Sequence, residues 1–122
     1  MNEKHHTSFR HFIRDPWIVG NVIIALVLNA AAWWLIVTQF TTDAEFAPLH
    51  YNIYFGIDLF GPSWQIYLLP GSGSAIIALN YLAAALLYSR LLLVSRILTM
   101  VATLCQMVCL WASWLIIQEL IV

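Results

Sequence analysis

Three long runs without a charged residue constrain this chain more than any other feature. They cover residues 17–40, 64–88 and 97–118. As α-helices, runs of about 20 residues or more are long enough to cross the roughly 30 Å apolar core of a bilayer. Composition agrees, because 62% of the 122 residues are hydrophobic and 9% are charged, whereas about 25% are charged in soluble domains. The sequence therefore predicts an all-α integral membrane protein with three transmembrane helices.

The stretch before the first run is polar and basic. Its Lys and Arg residues are Lys4, Arg10 and Arg14. The apolar run that follows is too long for the core of a cleavable signal peptide, so we expect a retained anchor. Asp15 and Pro16 favour a helix start, since aspartate caps free amides and proline suits the first helical position. We predict a cytoplasmic basic tail over 1–15, with a short interfacial helix, and a single three-helix membrane domain over 16–122.

The second span contains a proline and then a series of small residues. Counted from residue 63 it would be roughly 39 Å long, so 63–69 is predicted to be an interfacial turn or a tilted segment. Proline removes one helical hydrogen bond, and we expect a kink at Pro70. Small side chains let another backbone approach closely, in the same chain or in a neighbouring copy. The predicted packing residues are Pro70, Gly71, Ser74, Ala75 and Ala78, whereas Ile77 is predicted to face lipid.

The distribution of charge predicts an orientation. All five Lys and Arg residues lie in the tail or in the return 89–96 between the second and third spans. Four of the six acidic residues lie in the connection 41–63 or just after the third span. Cytoplasmic segments of membrane proteins carry the excess of Lys and Arg. We therefore predict a protein of the bacterial cytoplasmic (inner) membrane, with its N-terminus inside and its C-terminus outside.

The predicted spans carry amides but no ionisable groups suited to catalysis. Ser72 and Ser74 would need a general base within reach to become nucleophiles, and no span contains His, Lys, Asp or Glu. Asn29 lies near the middle of the first span and is expected to bond a neighbouring helix. A net charge of -1 argues against nucleic-acid binding. We predict no enzyme activity, no cofactor, and no catalytic, cofactor-binding or metal-binding residues.

The outer loop 41–63 is unusual because it is rich in aromatic residues. From Pro48 to Pro70 the aromatic residues are Tyr51, Tyr54, Phe55, Phe60, Trp64 and Tyr67. A segment of this composition is expected to fold onto the lipid surface or onto a partner instead of extending into water. Gly56 could reverse the chain and form a short hairpin. We predict an aromatic cap over the helix ends.

His50 and Asp58 are the titratable pair of this loop, and they flank Gly56. Our leading interpretation is a hydrogen-bonded clasp that fastens the cap, since an unpaired polar group under it would cost about 1–3 kcal/mol. Metal binding would need a third ligand, for which Asp43 and Glu45 are the nearest candidates. Recognition of a ligand or partner is the remaining alternative.

Part of the loop is similar to a known family. The residues that carry the likeness are Pro48, His50, Tyr51, Asn52, Gly56 and Asp58, followed by Pro70 in the second span. This pattern resembles a bacterial membrane-domain family of unknown function, which also opens the immunity proteins against the sporulation-delay toxin. The resemblance covers roughly residues 17–88. It implies a helical membrane fold with a structured outer loop, and it implies no established activity.

These observations favour a non-enzymatic role. We expect a small subunit or interaction module that contacts the lipid bilayer and assembles with itself or with a larger membrane protein. The alternative is a sensing or immunity protein whose outer loop binds a peptide or a lipid-like ligand.

Overall fold

The computed structural model describes residues 2–40, 46–54 and 56–121, and only the main chain of residues 2, 5, 46–52, 56–60, 120 and 121. The described residues form four α-helices, a two-stranded hairpin and a short 3-10 helix. In chain order these are α1 (Asn2–Arg14), α2 (Pro16–Gln39), β1 (Phe46–Asn52), β2 (Gly56–Pro62), the 3-10 helix (Ser63–Tyr67), α3 (Leu68–Leu87) and α4 (Leu92–Ile121).

Three helical segments of the described chain are long and apolar enough to cross a membrane. They are Pro16–Gln39, Ser63–Leu87 and Leu92–Glu119, with mean hydropathies of 2.0, 1.4 and 1.9. The predicted fold class, an all-α membrane protein with three spans, is confirmed.

The other two spans, α2 and α3, both pack along α4. Two apolar clusters stabilise opposite ends of the bundle. The first is formed by Ile36, Phe40, Ile66, Ile116 and Ile117. The second is formed by Phe12, Ile18 and Ala84. The middle of the bundle, between these clusters, is polar.

The predicted helix in the basic tail is confirmed as α1. Phe12 anchors it, since this ring is 8% exposed and lies edge-on to the ring of Tyr88, with 5.5 Å between the ring centroids. Phe9 and Ile13 are exposed. The helix therefore packs on the bundle with one side and presents further apolar residues on another.

The start of α2 follows the predicted capping pattern. The main-chain amide of Trp17 donates to Oδ1 of Asp15 at 2.9 Å, and Pro16 is the first helical residue. Asp15 satisfies one of the free amides of the first turn, and proline has no amide hydrogen to leave unpaired.

The predicted interruption of the second span is present as a change of helix type. The 3-10 helix ends at Tyr67, and α3 begins at Leu68, two residues before Pro70. Pro70, where the kink was predicted, therefore lies just after the change from 3-10 to α-helix. Tyr67 and Leu68 both have helical backbone angles, so the two helices are continuous. The segment predicted as an interfacial turn is this 3-10 helix.

The fourth helix begins at Leu92, earlier than the predicted start near Ile97. The predicted return 89–96 is thus only a short turn, in which the amides of Arg90 and Leu91 both donate to the carbonyl of Leu87. The charge of Arg96 suggested a boundary in the sequence. In the structure Arg96 is a helical residue of α4, and its guanidinium pairs with Asp15, the N-cap of α2.

The outer loop contains the hairpin that the sequence allowed. Strands β1 and β2 are antiparallel and pair Phe46 with Pro62 at one end and Asn52 with Gly56 at the other. Residues 53–54 begin the turn between them. The register is irregular in two places, between Pro48 and His50 and between His50 and Tyr51.

Candidate functional site

The middle of the bundle holds a network of side-chain amides and a hydroxyl, which we call the polar core: Asn29, Ser74 and Gln106. Nδ2 of Asn29 donates to the Pro70 carbonyl at 3.1 Å and to Oε1 of Gln106 at 3.0 Å. The Ser74 hydroxyl donates to Oδ1 of Asn29 at 2.8 Å. Nε2 of Gln106 donates to the Gly73 carbonyl at 2.9 Å. These bonds connect α2, α3 and α4 to one another.

The polar core is largely buried, and its side chains form hydrogen bonds with one another. Gln106 is 0% exposed and Asn29 is 8% exposed. The indole Nε1 of Trp33 adds a bond to the Ser74 hydroxyl at 3.1 Å. In a bilayer such groups have no water to bond, so their partners must come from the protein. The prediction that Asn29 bonds a neighbouring helix is confirmed, and the network fixes the register of all three spans.

Gly73 provides the space for the polar core. A Cβ atom at this position would lie 2.7 Å from Oε1 of Gln106 and 2.8 Å from Nδ2 of Asn29. Both distances are shorter than real Cβ contacts, so any side chain here would separate the two amides. Gly73 was missing from the predicted packing residues, although it lies within the small-residue series.

The interface of α4 follows a regular pattern that the sequence analysis missed. Seven of its buried positions alternate in steps of four and three, and together we call them the α4 seam: Ser95, Thr99, Ala102, Gln106, Cys109, Ser113 and Ile116. Most of these side chains are small, so α2 and α3 can approach α4 closely. The four-three spacing of Ser, Thr, Ala and Cys is the signal that identifies the seam in the sequence.

The structure changes the predicted packing face of α3. Pro70 is buried, Gly71 lies beside Trp33, and Ser74 belongs to the polar core. Ala75 and Ala78, however, are exposed.

Ile77, predicted to face lipid, is 8% exposed and thus buried. The inner face of α3 is given by Pro70, Gly73, Ile77 and Ala84. Close packing within the chain therefore uses Gly73, whereas Ala75 and Ala78 are available to another helix.

A second polar cluster joins the start of α2 to the end of α3 and the start of α4. Oδ2 of Asp15 accepts from the Tyr88 hydroxyl at 2.9 Å and from the Arg96 guanidinium at 3.1 Å. The indole of Trp17 donates to the Arg96 carbonyl at 3.2 Å. Asp15 and Arg96 are 81 residues apart, and the sequence contained no local signal for their pairing.

The environment of Asp15 holds its carboxylate in the ionised form. Burial alone raises the pKa of Asp15. The hydrogen bonds from Tyr88 and Arg96 and from the Trp17 amide outweigh this effect, so its pKa lies below the ordinary value of 3.8. The same contact acts on Tyr88 in the opposite sense, because burial and the adjacent Asp15 carboxylate raise the pKa of Tyr88.

The backbone of the hairpin places His50 and Asp58 on neighbouring strands. His50 is opposite Leu59 and Tyr51 is opposite Ile57, so Asp58 is the extra residue at the irregularity beside His50. Their side chains lie outside the part that the structure describes, and so do residues 41–45, with Asp43 and Glu45. The clasp and its alternatives stay predictions, as do the roles of the other residues of this loop.

Among the described residues, no group of three or more His, Cys, Asp or Glu side chains is placed to hold a metal ion. The two serines considered for catalysis have structural partners. The Ser72 hydroxyl donates to the Leu69 carbonyl at 2.7 Å, and that of Ser74 donates within the polar core.

An apolar groove of about 530 Å³ runs between α2 and α4 on the outside of the bundle. Its lining residues include Trp34, Trp111 and Trp114, all of them exposed. The lining suits acyl chains or another apolar helix.

Comparison with known proteins finds no match among protein-family models, curated proteins or solved structures.

Proposed function

We propose that the protein is a non-enzymatic subunit or interaction module of a bacterial cytoplasmic membrane. It assembles through the outer face of α3, with a second copy of itself or with a larger membrane protein. The observation that carries this proposal is the outward position of small residues on α3. Another helix can pack on a row of small side chains when no other part of the same protein covers that row.

This outer face begins with Ser72, Ala75 and Ala78, all exposed and spaced three residues apart. The opposite side of the same helix already meets α2 and α4 at Gly73, and Ile77 on that side is buried. Lipid chains pack equally well against large and small apolar residues, so small ones bring a gain only where a second backbone approaches.

The polar core supports a structural role for the amides within the spans. The amides of Asn29 and Gln106 and the hydroxyl of Ser74 bond one another and nearby carbonyls. These groups join the helices, so they do not suggest a path for a substrate or an ion.

Leucine at Ala75 is expected to weaken association between copies about tenfold or more, because overpacking a close interface costs about 1–3 kcal/mol. The stability of the protomer should be unchanged, since Ala75 is exposed within its own chain. Energy transfer between labelled copies in lipid vesicles measures the association. Ala30→Leu is the matched control, because Ala30 is exposed on α2.

If wild-type copies do not associate, affinity purification in mild detergent from the native membrane tests the larger partner. A protein retained by wild type and by Ala30→Leu, but lost from Ala75→Leu, would support the proposal. If Ala75→Leu behaves as wild type in both assays, the outer face of α3 is not a contact surface.

The proposed orientation rests on charge. Along the sequence, all five Lys and Arg residues, with Glu3 and Asp15, lie before α2 or close to the turn between α3 and α4, whereas the other four acids lie between α2 and α3 or near the end of α4. The positive-inside tendency favours the α1 end in the cytoplasm.

Labelling of single cysteines in intact cells should reveal this orientation. Thr42→Cys should react with a membrane-impermeant thiol reagent, whereas Thr7→Cys and Ser89→Cys should react only after the cells are permeabilised. The native Cys105 and Cys109 lie within α4 and should stay unlabelled in wild type. Reaction at Ser89→Cys together with protection at Thr42→Cys would reverse the proposed orientation.

A sensing or immunity role for the outer loop is the second candidate. The observation that favours it is the hairpin, which presents a structured backbone between α2 and α3. The resemblance of Pro48, His50 and Asp58 to the bacterial domain family supports the same idea. Retention of a peptide or lipid-like ligand that depends on the hairpin, and not on Ala75, would favour this candidate.

A further inference from the structure

An open groove of about 500 Å³ lies between α1 and the turn between α3 and α4. One side of α1 lines it at helical spacing, through Lys4, Thr7, Ser8 and His11. The opposite wall is formed by Tyr88, Ser89 and Leu92. Its volume is within the usual range for small-ligand sites.

The side chains that line the groove include hydrogen-bond donors but no Asp or Glu that could accept from them. Of the residues that the structure describes, none accepts a bond from the hydroxyl of Ser8 or Ser89, and none forms an ion pair with Lys4. The Thr7 hydroxyl donates to carbonyls of its own helix. Ammonium and hydroxyl donors that converge on a groove suit the oxygens of a phosphate.

The surrounding charge also favours an anion. All five Lys and Arg residues of the chain lie at this end of the molecule, together with two of its six acidic residues, Glu3 and Asp15. Asp15 is 5% exposed and already paired with Arg96, so its charge is largely compensated.

Apolar residues adjoin the groove on the side of the spans. Leu92, which lines the groove, is 43% exposed, and Leu91 and Leu93 next to it are 51% and 72% exposed. A ligand with a phosphate at one end and acyl chains at the other would contact both surfaces. A soluble phosphate would contact only the first.

We propose that this groove binds the phosphate headgroup of an anionic phospholipid, with the acyl chains along the exposed apolar residues at the start of α4. Basic pockets at the ends of membrane spans bind anionic headgroups in this way. The proposal does not depend on the assembly of copies or on which side of the membrane α1 faces.

The test uses the full chain in a neutral detergent, to which phosphatidylglycerol or phosphatidylcholine with identical acyl chains is added. Native mass spectrometry measures which lipid is retained, and thermal unfolding measures the stabilisation. Wild type should retain phosphatidylglycerol in preference. Lys4→Gln should reduce that preference about fivefold or more, because the direct hydrogen bond between its ammonium group and the phosphate is lost. Ser89→Glu, which places an acid in the opposite wall, should abolish it.

Arg10→Gln is the matched control, because it removes one charge from the same helix outside the groove. It should keep the preference of wild type. An equal loss in Lys4→Gln and Arg10→Gln would overturn the proposal, since the preference would then reflect overall charge. Displacement of the lipid by inorganic phosphate at millimolar concentration would also overturn it, in favour of a soluble-phosphate site.

Discussion

Replacement of Gly73 by alanine is expected to lower the free energy of unfolding by about 2–4 kcal/mol. The added Cβ would lie 2.7 Å from Oε1 of Gln106 and 2.8 Å from Nδ2 of Asn29. The 3.0 Å bond that joins these two amides must then lengthen or break. Overpacking costs about 1–3 kcal/mol, and each interhelical bond lost in a membrane adds about 1 kcal/mol.

Gly20→Ala is the matched control for this substitution. Gly20 is also within a span, on α2, but a Cβ atom there would have no neighbour within 4 Å. Because alanine is the better helix former by about 1 kcal/mol, this variant should be neutral or slightly stabilised. Thermal and denaturant unfolding in detergent compares the two. Equal stability in Gly73→Ala and Gly20→Ala would mean that the polar core does not hold the helices together.

Replacement of Asp15 by alanine is expected to cost about 2–4 kcal/mol. It removes the cap of α2, worth about 1 kcal/mol, and leaves the Tyr88 hydroxyl and the Arg96 guanidinium without their acceptor, at about 1–3 kcal/mol. Arg96→Gln should cost less, since the Arg96 side chain is 42% exposed and water can replace its partner. Glu119→Gln, at an exposed acid on the opposite end, is the control and should be silent.

The same carboxylate gives a definite pH dependence. The pKa of Asp15 in the folded protein lies below its ordinary value of 3.8, so the unfolded chain binds this proton more tightly. Its contribution to stability is therefore full above pH 3.8 and is lost as the pH falls through the lowered pKa. Unfolding of wild type and Asp15→Asn, measured across this range, should show a smaller loss in the variant. Identical slopes would contradict the ionised, bonded state of Asp15.

The number and class of the spans could be predicted because they depend on length and hydropathy alone. Asp15 and Pro16 were also readable as a helix start, since capping is local. The inner face of α3 could not be predicted, because the small residues from 71 to 75 cover every side of the helix. Which side packs was decided by Asn29 and Gln106, whose amides need the space at Gly73. Ala75 was a reasonable candidate on size, but it lies on the other face.

The pairing of Asp15 with Arg96 could not be predicted for a different reason. Arg96 suggests a loop boundary when it is considered alone, because a charge at the end of an apolar run normally meets water. Its acceptor is the N-cap residue of α2, 81 residues away. In contrast, the α4 seam was present as a four-three repeat of small residues, and a search of the third span for that period would have found it.

The hydroxyls of the α4 seam and the amide of Gln106 differ in where their hydrogen-bond partners lie while the protein is being inserted into the membrane. Thr99 and Ser113 bond carbonyls of their own helix, at Arg96 and Cys109, so a newly inserted α4 enters lipid with these hydroxyls already paired. The Gln106 amide has its partners on α2 and α3. Since α4 is synthesised last, Asn29 and Ser74 can meet before it arrives, and Gln106 then completes the set. Correct docking of the last helix is thereby distinguished from a shifted one, because only one register gives this amide both of its partners.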